Sequence, residues 1–154
     1  MDSLHETFLG EEDLMPLIRE RLAAGQTIRY LPFRGISMLP MLRQGKDQVE
    51  LSPLPEKLKK YDLPIYQYPS GKYVMHRVVK VRQDGYVCLG DNTYSYEYIK
   101  PDQMIAVVSA FRRGDKRICV DAPGYRLYCR VWCALYPVRK FLVRGKNWLR
   151  RHIK

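Results

Sequence analysis

From Gln26 to Val120 the chain reads as a series of short apolar runs, each closed by glycine, proline, aspartate or asparagine. Punctuation of this kind leaves room for strands of about 4–8 residues and predicts a domain built on short β-strands. Residues 27–33 are the first β-like run, interrupted by a turn at Gly35. Residues 49–51 make a short strand ahead of a Pro- and Lys-rich loop at 53–60. Residues 63–68 make another, and Pro64 places it at an edge or beside a bulge, because proline cannot donate to a ladder. Residues 73–82 are the clearest strand, with Val74, Val78, Val79 and Val81, and with Ser70-Gly71 as a hairpin turn just before. Asp84-Gly85 turns the chain into residues 86–89. Residues 104–111 and 117–120 are two further apolar strands, joined by Arg112-Arg113-Gly114-Asp115. Twelve tyrosines and ten prolines favour such strands and irregular connections over a helix bundle.

Helical spacing is confined to the two ends. Leu14, Leu17, Ile18 and Leu22 share one face of a 3.6-residue period, so a helix is predicted over 11–24. Glu11, Glu12 and Asp13 suit the positive end of its dipole, and Gly25 suits its stop. Residues 124–152 return to helical texture, bent or broken at Pro137. A chain of 154 residues makes one packed domain the default. The expected fold class is therefore mainly β: a small coiled β-sheet domain over 1–122 that includes the N-terminal helix, then a basic amphipathic helical tail over 123–154.

The formal net charge of +11 belongs largely to that tail. No acidic residue follows Asp121, whereas Arg126, Arg130, Arg139, Lys140, Arg144, Lys146, Arg150, Arg151 and Lys154 do. A basic helix that also carries Trp132, Leu135, Phe141 and Leu142 is suited to lie peripherally on an anionic membrane. The same helix could instead pack on the β domain with its charges solvated, and both readings stay open. Specific nucleic-acid binding is disfavoured, because no recognition motif accompanies the charge. No run approaches the roughly 20 apolar residues that span a bilayer. The first fifteen residues are acidic, unlike a secretory leader. A cytoplasmic location follows as the expectation, with the inner membrane face as a peripheral site. Cys88, Cys119, Cys129 and Cys133 show no paired C-x-x-C spacing, so reduced thiols and no metal site are expected.

Two segments carry candidate chemistry. Gly35-Ile36-Ser37-Met38-Leu39-Pro40 puts a serine on a glycine-initiated turn, and His76-Arg77-Val78-Val79 puts a histidine in a strand. A serine hydroxyl is a weak nucleophile until a base takes its proton. Of three histidines, His5 and His152 stand near the ends of the sequence, which leaves His76 as the base of histidine type. Taken singly, each feature has an ordinary structural explanation: a turn serine, a half-buried strand histidine, and Asp91-Asn92 as a side-chain-stabilised turn.

In order and rough spacing, Gly35-x-Ser37-Met38-x-Pro40, then Tyr73-Val74-Met75-His76-Arg77-Val78, then Gly90-Asp91-Asn92 resemble the S24/S26 serine peptidases, the group of signal peptidases I and LexA-like self-cleaving repressors. The resemblance covers roughly residues 28–112 and implies the small coiled β-sheet fold of that group. It implies a serine endopeptidase that cuts a leader or signal-type peptide of a precursor through an acyl-enzyme, without cofactor or metal. Ser37 would be the nucleophile and His76 the base, as in the branch that uses histidine where other members use lysine; Lys72 and Lys80 are not at the matching place. The acid that orients His76 is either Asp91, within the Gly-Asp-Asn motif, or Glu97, where the branch usually carries an aspartate. The backbone N–H of Ser37 would face the oxyanion. Gly35 stands where bacterial members often place a second, hydroxyl donor, and Met38 and Leu39 would line a shallow apolar pocket. Two rivals accompany this reading. One is a self-cleaving regulator, since Ala24-Gly25 resembles the bond such proteins cut. The other is a non-catalytic module that docks on a membrane or partner through its tail.

Overall fold

The structure, a computed structural model, describes residues 11–30 and 35–153. Residues 31–33 of the first expected strand, and His5, lie outside the described residues. Among the described residues the chain forms α1 (Glu11–Ala23), β1 (Ile28–Tyr30), β2 (Gln48–Ser52), β3 (Pro64–Gln67), β4 (Tyr73–Met75), β5 (Arg77–Val81), β6 (Tyr86–Leu89), β7 (Glu97–Ile99), β8 (Met104–Arg113), β9 (Lys116–Cys119), α2 (Pro123–Ala134) and α3 (Tyr136–His152). The helices hold about as many residues as the strands, so the domain is mixed α and β where the sequence predicted mainly β.

Two antiparallel sheets carry the fold. The larger runs β1-β2-β8-β3-β4, and β9 adds to β8 through the hairpin at Gly114. The long strand β8 is its spine, pairing with β2 along one edge (Val49 with Phe111, Leu51 with Val108) and with β3 along the other (Ile65 with Ala106). Pro64 is the first residue of β3, where no ladder donor is lost, and the register slips between Ile65 and Tyr66. That slip agrees with the expected bulge, but β3 is an interior strand. The smaller sheet is β5-β6-β7.

Side-chain alternation on β3 explains the two cores. Ile65 joins Met15, Ile18 and Leu22 of α1 with Val49, Leu51 and Val108. Tyr66, its neighbour, faces the other way and joins Val78, Tyr86, Cys88 and Ile99 of the smaller sheet. The main core also takes in Tyr125 and Cys129 of α2. The boundary expected at 122/123 therefore marks the change from strand to helix, not the end of the packed body. The break anticipated at Pro137 falls at Leu135, and Pro137 occupies the first turn of α3, where its missing N–H costs nothing.

The run 73–82, expected as one strand, is divided at His76. Residues 73–75 pair with β3 in the larger sheet, and residues 77–81 pair with β6 in the smaller. His76 is the residue at which the chain passes from one sheet to the other. All four cysteines are unpaired thiols. No helix among the described residues is long and apolar enough to cross a membrane.

Candidate active site

Gly35 opens the serine turn with φ +111°, a backbone conformation that residues bearing a Cβ rarely adopt. The turn is closed by hydrogen bonds from Leu39 N–H to the Ile36 carbonyl (3.2 Å) and from Leu42 N–H to the Met38 carbonyl (3.0 Å). Buried Met38, Met41 and Leu42 pin its apolar side into the main core. On the other side Asn92 clamps it twice: its backbone N–H donates to the Ser37 carbonyl at 2.7 Å, and its Nδ2 donates to the Ile36 carbonyl at 3.1 Å. Ser37 itself stays half-exposed.

Gly90 lies where this turn meets His76. A Cβ at Gly90 would sit 2.8 Å from the Ser37 carbonyl oxygen and 3.0 Å from His76 Cδ2. Only glycine leaves room for the serine turn and the imidazole to close on the same point. Ser37 and His76 both line one cavity of about 450 Å³, bounded also by Met38, Leu42, Ile65 and Val74. Ser37 Oγ makes no hydrogen bond to another described residue in this structure. Contacts between a nucleophile and its base are often long before substrate arrives.

The far side of His76 is held firmly. Its Nδ1 lies 3.0 Å from Glu97 Oε2 on β7. Tyr66 and Tyr68 also donate their hydroxyls to Glu97, one to each carboxylate oxygen. Burial alone would hinder ionisation of Glu97. The hydrogen bonds from Tyr66, Tyr68 and His76 outweigh it and hold the carboxyl below the usual range. Burial, reinforced by the bond to Glu97, pushes both tyrosine hydroxyls up, so they remain donors at neutral pH. An ionised carboxylate only accepts, so the network assigns an imidazole proton to Nδ1, and in the neutral ring Nε2 is then the acceptor. In a cavity that Ser37 also lines, such an imidazole can accept a proton, and Glu97 can stabilise the resulting cation.

Asp91, the other candidate acid, is engaged elsewhere. Its two oxygens accept from Arg77 Nε and Nη2, both at 2.8 Å, and one also accepts from Tyr128 (2.9 Å). Arg77 is 0% exposed and Asp91 3%. Arg77 Nη1 donates further to the Tyr125 hydroxyl at 2.7 Å, and its guanidinium lies against the Tyr125 and Tyr128 rings. A buried charge persists only when paired and fully hydrogen-bonded, and this one is. Asp91 thus binds α2 to the body, and its neighbours Gly90 and Asn92 fix the serine turn. Glu97, not Asp91, is the acid the structure places on His76.

Sequence reasoning missed Tyr66, Tyr68 and the role of Arg77. The two tyrosines were visible as an i, i+2 pair on one strand face, but nothing in the sequence said that Glu97 opposes them. Lys72 lines the cavity as well, whereas Lys80 lies on a separate one. Ala24 and Gly25 belong to the hydrogen-bonded end of α1, Ala24 N–H bonding the Glu20 carbonyl and Gly25 N–H the Leu22 carbonyl. Among the described residues no cluster of three or more His, Cys, Asp or Glu side chains is arranged to hold a metal. No family model matches the chain, and neither does any curated protein.

Proposed function

We propose that the chain is a serine endopeptidase of the signal-peptidase type, with the small coiled β fold of the S24/S26 group. One observation carries this reading. His76 presents Nδ1 to an ionised Glu97 while its opposite ring edge meets the Ser37 turn across Gly90. In the proposed reaction Ser37 Oγ attacks a peptide carbonyl as His76 Nε2 takes its proton. The proton then passes to the leaving amine, and an acyl ester remains on Ser37 until water, activated by the same imidazole, releases it. The Ser37 backbone N–H, which bonds no other described group, is the oxyanion donor.

The substrate fits as an extended segment. Among the described residues strand β4 is the outer strand of its sheet; it leads directly into His76 and lines the cavity with Tyr73, Val74 and Met75. A peptide added to that edge would satisfy the strand's free backbone groups and carry its scissile bond between His76 and Ser37. Apolar walls from Met38, Leu42 and Ile65 favour small or apolar side chains beside the cut.

The test is digestion of a mixed peptide library, read by mass spectrometry. Cleavage that Ser37→Ala and His76→Ala abolish and Lys72→Ala retains is the expected result. A histidine base further predicts activity at neutral pH, whereas a lysine base requires alkaline conditions. Cleavage that survives Ser37→Ala sinks the reading. So does a wild-type protein that cuts nothing and whose Ser37 resists a fluorophosphonate.

A further inference from the structure

Helix α3 leaves the body of the protein with its apolar side uncovered. Its first turn is anchored: Tyr136 is buried and donates to the Tyr94 carbonyl at 2.8 Å, and the Arg139 guanidinium lies over the Trp132 ring, 4.2 Å from its centre. Beyond that anchor Phe141 is 77% exposed and Trp148 60%, Leu142 and Leu149 are exposed, and so is Val138 within the first turn. At about 100° per residue these five side chains fall within one sector of about 120°, so they form a continuous apolar stripe. Lys146 and Arg150 border it on one side, and Lys140, Arg144 and Arg151 on the other. Arg144, Lys146, Arg150 and Arg151 pair with no acid among the described residues, and α3 contains none.

We propose that α3 is a docking helix for an anionic phospholipid bilayer, lying in the plane of the surface. An apolar stripe between two cationic borders fits lipid in both respects: the stripe enters the acyl boundary, and the borders meet lipid phosphates. A second copy of this chain fits poorly, because joining two stripes would bring four cationic borders together without a single carboxylate. A nucleic acid would use the cations but leave Phe141, Trp148 and Leu149 in water. The 17 residues of α3 extend about 25 Å, enough for several turns of contact along the surface. No residue of α3 lines the Ser37 cavity.

The experiment is vesicle flotation of the full chain at about 0.15 M salt, with phosphatidylcholine vesicles that contain or lack phosphatidylserine. Binding to the anionic vesicles only, with a blue shift of Trp148 emission, is the expected result. Salt at about 1 M should release the protein. Arg144→Gln and Arg150→Gln should each lower partitioning roughly fivefold. Phe141→Asp should abolish it while leaving the melting curve unchanged, since that side chain touches solvent. Ser37→Ala should bind as the parent does. Absence of anionic-vesicle binding overturns the proposal. So does binding indifferent to Phe141→Asp, competition by duplex DNA that Phe141→Asp leaves intact, or a lipid-free dimer that Phe141→Asp dissociates.

Discussion

Glu97 and Asp91 are six residues apart and carry the same charge, yet their surroundings give them opposite work. Glu97 gathers two tyrosine hydroxyls and the His76 ring at the wall of a cavity. Asp91 is closed off with Arg77 beneath α2. Their amides should therefore fail in different ways. Glu97→Gln keeps the shape but removes the charge that would stabilise an imidazolium, so the proposed peptidase activity should fall about 10²–10⁴-fold with little change in denaturant midpoint. Asp91→Asn leaves Arg77 charged and underpaired in the interior, which should cost about 3–5 kcal/mol in the same denaturation measurement. Equal stability losses, or equal activity losses per folded molecule, would overturn this division. The sequence left the two acids as alternatives for a physical reason. What separates them is burial by Tyr125 and Tyr128, more than 30 residues downstream, and no local pattern reports a contact at that range.

At the level of elements, the site depends on a strand that changes sheets. The valines of 73–82 carried a partial signal. Val74 and Val78 share one phase of the alternation, whereas Val79 and Val81 take the other. The structure resolves this slip as a register shift between Val78 and Lys80, after which Val81 joins Val74 and Val78 on the second core. The serine turn, the N-terminal helix and most strands were legible because glycine placement and apolar periodicity are local. The passage between sheets at His76 was not, since it is set by which partner strand lies alongside, and β7 is too short to show a period. Gly90 is where these elements meet, which makes it the sharpest probe of the arrangement. In Gly90→Ala the new methyl meets the Ser37 carbonyl oxygen at 2.8 Å, so main chain must shift. Overpacking of this kind costs about 1–3 kcal/mol. The displacement falls between the proposed nucleophile and base, so the proposed cleavage per folded molecule should drop at least about tenfold, because small misplacements of reacting groups are expensive. Unchanged cleavage by a fully folded Gly90→Ala protein would mean that the turn and the ring need not approach each other there.

Across the whole molecule, the two C-terminal helices divide into a part that belongs to the fold and a part that projects from it. The sequence grouped them as one basic tail, because charge is visible in a sequence and burial is not. Helix α2 places Tyr125 and Cys129 in the main core and supplies the hydroxyls that complete the Arg77–Asp91 pair, while Tyr136 and Arg139 fasten the start of α3 against Tyr94, Tyr96 and Asp91. Nearly every described side chain beyond Lys140 is exposed. Two truncations should separate these roles. Ending the chain after Lys140 removes mainly solvated side chains, so the thermal midpoint should stay within about 3 °C of the parent, about 1 kcal/mol for a domain of this size. Ending it after Ala122 strips the cover from a buried arginine and aspartate and opens the core beside Phe111. The uncompensated charges alone cost several kcal/mol, against a total stability of about 5–15 kcal/mol, so the cooperative transition should be lost in calorimetry. A shorter chain that still melts cooperatively near the parent temperature would return α2 to the tail. It would also leave the Arg77–Asp91 pair stable without its aromatic cover, which the energetics of buried charge argue against.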